Sequence, residues 1–220
     1  MNGHRLYPSR SIKYLGMYLD ETLNGSCHAN ILSKKHKRAN GMLCKARHYV
    51  LAEDIRTLYY AIFSSHLIYA SQIWGQVTNS FNQKNFKLQN RALRIISFSD
   101  FRANSTPLYN DLKILKLRDH IILQNCLFTH DALNNVTPSC FHTYFSKARD
   151  HHAFNTRHAN LGCLFPSRYG TIRYGLLSIT NQCVSNWNAI SKSLNLDLLT
   201  LTRYQLKKKV VQYLNSNYNA

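Results

Sequence analysis

Lys84, Lys87, Arg91 and Arg94 recur at spacings of three, four and three residues. That rhythm gathers side chains on one face only if the backbone turns as an α-helix. At roughly 100° per residue the four cations fall within about 80° of arc. Phe81, Leu88, Ala92, Ile95 and Ile96 supply an apolar stripe in the same segment, so the pattern predicts one helix with a core face and a cationic face. Asn79-Ser80 offers capping side chains at its start. No acid lies between Asp54 and Asp100, so no carboxylate one turn away neutralises the stripe. Two uses fit such a face: a solvated helix surface, or a run of contacts to a phosphate backbone.

The same period runs through the preceding segments. After Asn24-Gly25-Ser26, the apolar residues Ile31, Leu32, Ala39, Met42, Leu43, Ala46 and Val50 lie within about 120° of a helical wheel. Lys34, Lys37, Arg38 and Lys45 occupy a separate arc of about 100°, with Lys35 intruding on the apolar side. A second helix is predicted from near Asp54 to Trp74, apolar over much of its circumference through Ile55, Leu58, Tyr59, Ile62, Phe63, Leu67 and Ala70.

The first two dozen residues have a different rhythm. Runs at 4–7 and 12–19 are rich in β-formers and are separated by Pro8-Ser9-Arg10, which predicts a hairpin turning there. Gly16 interrupts the second run and reads as a bulge or a close backbone approach. Further on, Thr106-Pro107 reads as a cap followed by proline in a first helical turn. Helices are predicted over 119–133, 176–190 and 203–213. Loops and short elements are predicted over 134–174, where Pro138, Gly162, Pro166 and Gly170 cluster with histidines. The fold class is therefore mostly α with an N-terminal β-hairpin.

Charge narrows the partners. The 220 residues carry 28 Lys and Arg against 10 acids, a net charge of +18. Such a surface gathers a polyanion with strong salt dependence, which points to RNA or DNA ahead of an anionic membrane. The basic surface also fits a ribosomal, histone-like or merely solubilising role. No run approaches the roughly 18 apolar residues of a membrane span, and the N-terminus lacks the apolar core of a signal peptide. An intracellular protein is expected, with nucleus and cytoplasm both open.

Several chemistries lack their residues. Two-metal phosphoryl transfer needs converging carboxylates, and the only adjacent acids are Asp20-Glu21 and Glu53-Asp54, with no Asp-Asp dipeptide anywhere. The six cysteines contain no CxxC pair and read as reduced, mostly buried thiols. Cys140, His142, His151, His152, His158 and Cys163 are the one cluster with metal-ligand chemistry, at spacings wider than structural zinc normally uses. Neither catalytic residues nor a resident metal are assigned.

Lys13-Tyr14-Leu15-Gly16-Met17-Tyr18-Leu19-Asp20 resembles the KYLGVxLD hairpin of LINE-type (non-LTR) retrotransposon reverse transcriptases. Lys34-Lys35 with Ala39-Asn40-Gly41-Met42-Leu43 resembles the first thumb helix of that family, and residues 59–70 with Trp74-Gly75 resemble the next. Leu88-Gln89-Asn90-Arg91-Ala92-Leu93-Arg94-Ile95-Ile96 resembles its "LQN+AxRxI" helix. Residues 112–117, Asn155-Thr156-Arg157 and Trp187-Asn188 resemble landmarks of its C-terminal domain. The succession covers nearly the whole chain and is more specific than any one motif.

The resemblance implies a division into a primer-grip-like hairpin (1–24), a thumb-like helical bundle (25–100) and a helical C-terminal region (101–220). Tyr14, Leu15 and Gly16 would belong to the primer grip. Lys34, Lys37, Arg38, Lys45, Lys84, Lys87, Arg91 and Arg94 would contact an RNA or DNA template–primer duplex. The family's Tyr-x-Asp-Asp element and palm carboxylate, which hold Mg2+, lie upstream of the hairpin. A truncated derivative without polymerase activity of its own is therefore expected, with a palm domain or another chain as a further partner. A retroelement relic without function, and a helical protein-interaction module, are the alternatives.

Overall fold

A computed structural model describes residues 9–23, 25–75, 79–151, 154, 156–168, 175 and 178–218. One antiparallel hairpin, β1 (Ser11–Tyr14) and β2 (Met17–Asp20), precedes a helical remainder. The chain divides into two compact units, Met1–Phe98 and Ser99–Ala220.

The hairpin is present, but its turn is not where the strand pattern puts it. Pairing runs from Ser11↔Asp20 to Tyr14↔Met17, so the chain reverses at Leu15-Gly16 rather than at Pro8-Ser9-Arg10. Leu15 (φ 45°) and Gly16 (φ 81°) both take positive φ, as a two-residue turn matched to the strand twist requires. Glycine adopts that conformation without a Cβ penalty, so Gly16 marks the turn and not a bulge. Residues 4–7 lie outside the described residues.

In the first unit, α1 (Ser26–Ala46) is a single helix. Asp20, at the end of β2, accepts from the Cys27 N–H at 3.3 Å. It thereby places a negative charge at the helix start, where the dipole favours it. The helix predicted from Asp54 to Trp74 is broken into α2 (Ala52–Tyr59), a wide π turn (Tyr60–Ser64), α3 (Ser65–Ile68) and α4 (Ser71–Trp74). Ala70 sits in the left-handed region at φ 50°. Two hydrogen bonds that periodicity does not encode hold the break: the Trp74 indole donates to the Tyr69 carbonyl five residues back (2.8 Å), and the Tyr69 hydroxyl donates across the unit to the Leu15 carbonyl. Helix α5 (Asn79–Ile96) follows; the residues just before it lie outside the described set, and with them the test of its cap. Leu32, Leu43, Ile55, Tyr59, Phe63, Trp74 and Leu93 fill the core.

The second unit contains α6 (Thr106–Asp111), α7 (Leu117–Leu133), α8 (Arg157–Asn160), α9 (Ile179–Leu194) and α10 (Arg203–Ser216). Ser105, not Thr106, is the cap residue of α6 and makes no side-chain cap bond. The Thr106 N–H donates instead to the Asn104 side chain at 3.0 Å. Helices α9 and α10 pack on α7 around Trp187, whose indole donates to the Gly162 carbonyl (3.1 Å). Asn188 brackets the Leu164 backbone, accepting at 2.7 Å and donating at 2.9 Å. The neighbouring pair Trp187-Asn188 thus ties the backbone at Gly162 and Leu164 to the helical core. No helix among the described residues is long and apolar enough to cross a membrane.

Candidate nucleic-acid interface

Helices α1 and α5 meet along a polar seam. Asn85 of α5 sits at its centre: its side-chain oxygen lies 3.1 Å from both the Ser33 hydroxyl and His36 Nδ1. Farther along α1, Asn40 donates to the carbonyl of Leu88, farther along α5, at 3.0 Å. The two helices therefore run side by side in the same direction. On the core side of this seam His36 stacks on Phe63 with ring centroids 4.1 Å apart, and Gln89 donates to the Tyr59 hydroxyl at 3.3 Å.

Those contacts fix which way the cations face. Moving round α1 from Ser33 and Asn40 away from the core, a helical turn brings up Lys37, then Lys34, Lys45 and Arg38. On α5, the residues beside Asn85 and Leu88 on the outer flank are Lys84 and Arg91, followed by Lys87 and Arg94. The core lies on the opposite side of both helices. The two arcs therefore flank one seam on one outer surface, α1 supplying one bank and α5 the other. Lys34, Lys37, Arg38, Lys45, Lys84, Lys87 and Arg91 are exposed, and Arg94 is half-buried. Lys35 stands apart on the other flank of α1, exposed rather than in the core.

His36 is fully buried in the seam. Burial pushes its ring down to about 4, and the charge of Lys35 acts in the same direction. A neutral imidazole is what a seam beneath so many cations can hold, because a buried charge there would be both desolvated and repelled.

Tyr14, Leu15 and Gly16 form the exposed tip of the hairpin, with Tyr14 and Leu15 63% and 74% exposed. The tip is anchored by Tyr69, whose hydroxyl donates to the Leu15 carbonyl and whose ring lies 3.6 Å from where a Gly16 Cβ would stand. At its middle the hairpin is tied by the Tyr18 N–H donating to His28 Nδ1 at 3.4 Å.

Two known proteins are similar to part of this chain. A probable RNA-directed DNA polymerase from the transposon X-element of Drosophila melanogaster is 27% identical over 124 residues, and the RNA-directed DNA polymerase from the mobile element jockey of Drosophila funebris is 29% identical over 125. This chain contains a region related to the reverse transcriptases of non-LTR retrotransposons. Each match spans 55% of this chain and 14% of the relative. No family model and no solved structure matches.

In that reverse-transcriptase-related setting, the donor set for Mg2+ is a poor fit. Among the described residues no three His, Cys, Asp or Glu side chains gather into a group. Asp20 faces the start of α1, and Glu53 and Asp54 open α2. The Cys140–Cys163 region is spread out: His142 Nε2 lies 2.6 Å from the Thr137 carbonyl, His151 stacks on Phe165, and Cys163 is buried while Cys140 is exposed. His152 and the side chain of His158 lie outside the described residues. Of the six thiols, Cys126, Cys163 and Cys183 are buried, fewer than the mostly buried set expected.

Sequence reasoning missed Tyr69, the Ser33–His36–Asn85 seam and the pairing of Arg47 with Phe98. A buried Asn among helical residues leaves no periodic signal. The alternation of polar positions Ser33, His36 and Asn40 with Leu32, Ala39 and Leu43 was the available hint.

Proposed function

We propose that the first unit holds template–primer nucleic acid by its phosphate backbone, in a protein derived from a non-LTR reverse transcriptase. In this reading the hairpin within 1–24 is primer-grip-like, 25–100 is thumb-like, and 101–220 is the C-terminal region. The observation that carries it is the common outer surface of α1 and α5, on which two banks of cations flank a hydrogen-bonded seam. Cations held on rigid helices meet phosphates with little ordering cost, and such contacts position a duplex without reading its sequence. In this reading these 220 residues grip nucleic acid, and they include no Asp-Asp dipeptide. Primer extension with Mg2+ is expected to give no incorporation.

Binding of a labelled RNA–DNA hybrid, followed by anisotropy across a salt series, tests the grip. Affinity should fall steeply with salt. Lys87→Glu with Arg91→Glu should weaken it alike for unrelated sequences and flatten the log–log salt slope by about two, one contact per cation removed. Unchanged affinity in that double variant would refute this use of α5. A second reading, a protein-interaction module, is favoured by the exposed apolar tip of the hairpin, where Ile12 is 61% exposed beside Tyr14 and Leu15. It predicts association with a protein partner that salt leaves largely intact and Leu15→Asp abolishes.

A further inference from the structure

The cationic stripe of α5 runs to Arg94, and one turn later the chain reaches Phe98. This residue takes φ 54°, a left-handed conformation uncommon for a bulky side chain, and it remains 46% exposed. The Arg47 guanidinium carbon lies 4.8 Å from the ring centroid. Arg47 is the C-cap of α1, with its N–H bonded to the Leu43 carbonyl at 3.0 Å. Helices α1 and α5, which carry the two cationic banks, thus end together in a flat cation on the flat ring of an exposed residue.

Another close cation–ring cluster is built differently. Lys116 lies 4.1 Å from the Tyr218 ring centroid, but the Tyr218 hydroxyl is committed to Asp119 and to the Lys116 N–H. Tyr218 is half-buried with its hydroxyl committed inside the second unit, so that cluster is an internal tie.

We infer that Phe98 and Arg47 form a stacking platform for one unpaired nucleobase at the end of the α1–α5 cationic face. The inference rests on the phosphate-binding reading above. Every nucleobase has a π-face, so an aromatic ring at the end of a basic track accepts any of them, and a guanidinium adds cation–π attraction. A base inside a duplex is already stacked on both sides and gains nothing from Phe98. The ligand class is therefore a strand end or single-stranded extension continuous with a duplex held on the cations.

The experiment compares a blunt hybrid duplex with the same duplex carrying a short single-stranded extension that contains a fluorescent adenine analogue. The wild-type chain should bind the extended form more tightly and quench the analogue. Phe98→Ala should weaken the extended form by about tenfold and abolish quenching, leaving the blunt form unchanged. Phe98→Trp should restore both, which guards against a folding defect. Lys87→Glu with Arg91→Glu should weaken both duplexes. If Phe98→Ala weakens both forms equally, or neither, the platform is overturned while the phosphate grip stands. If the double charge reversal leaves both forms tightly bound, the phosphate-binding reading itself is overturned.

Discussion

Around His36 the first unit buries Ser33, Asn40, Asn85 and Gln89 between its helices, whereas around Trp187 the second buries Leu123, Cys126, Leu164, Val184, Leu206 and Val210. Among the described residues, eight buried polar residues fall in the first unit and five in the second. Apolar packing is non-directional and tolerates small sliding of one helix on another. Hydrogen bonds between side chains do not, because a shifted register leaves buried polar atoms unpaired. The polar seam therefore fixes the position of one cationic bank against the other, as the proposed phosphate grip requires. The second unit is joined differently. Its ion pair Arg203–Asp131, with Nε 2.9 and 3.0 Å from the two carboxylate oxygens, and its Tyr218–Asp119 bond tie helices together instead. Its buried thiols fit the apolar character, since burial pushes Cys126 up and raises Cys183 to about 12.

Removing the centre of the apolar core is the largest test of this contrast. Trp187→Ala should cost about 3–5 kcal/mol, read as a lower urea midpoint for the second unit, with Trp187→Phe recovering much of it. A loss below about 1 kcal/mol would mean that the cluster around Trp187 is not what holds that unit.

Acid tests the seam. An unperturbed histidine titrates at 6.5, while His36 in the fold titrates at about 4. Between those values the unfolded chain takes up a proton that the folded chain refuses. Stability is complete above about pH 6.5 and falls as the pH drops towards 4, on the order of 3 kcal/mol from this ring. His120 in the second unit is likewise held at about 4 by burial and adds a loss of the same sign. Urea melts at neutral and acid pH should show His36→Gln flattening the dependence. A variant as acid-sensitive as wild type would place the acid response outside the seam.

Asn85→Ala sharpens the comparison at constant pH. It strips Ser33 and His36 of their shared acceptor and should cost about 1–3 kcal/mol. Weaker binding of a hybrid duplex should accompany that loss if the seam aligns the cations; intact binding would separate the seam from the surface above it. The smallest effect is expected at Arg203→Ala, because that arginine is 60% exposed and exposed ion pairs contribute about 0–1 kcal/mol. A thermal-midpoint change of more than a few degrees would show that this pair does more in the second unit than surface pairs normally do.

The helical periods of α1 and α5 were legible because each has one buried face and one wet face, and the 3.6-residue repeat records that division directly; α7, buried nearly all round, was legible from its apolar residues instead. The cationic arcs were legible for the same reason, with no acids nearby to confuse the pattern. The hairpin was legible as a pair of strands, but its turn was misplaced. Leu15 has no turn preference, and only Gly16 hinted that the reversal lay inside an apparent strand. The break at Tyr69-Ala70 was hidden because Tyr69, Ala70 and Trp74 read as helix formers on an apolar stripe.

Sequence alone determined the helical character, the excess of positive charge and the face of each helix that carries it, since these follow from local spacing and composition. Only the tertiary structure decided that α1 and α5 run in the same direction with both cationic arcs outward. Direction and register depend on which residues far apart in sequence share a hydrogen bond, and the 52-residue span from Ser33 to Asn85 leaves no trace in any local period.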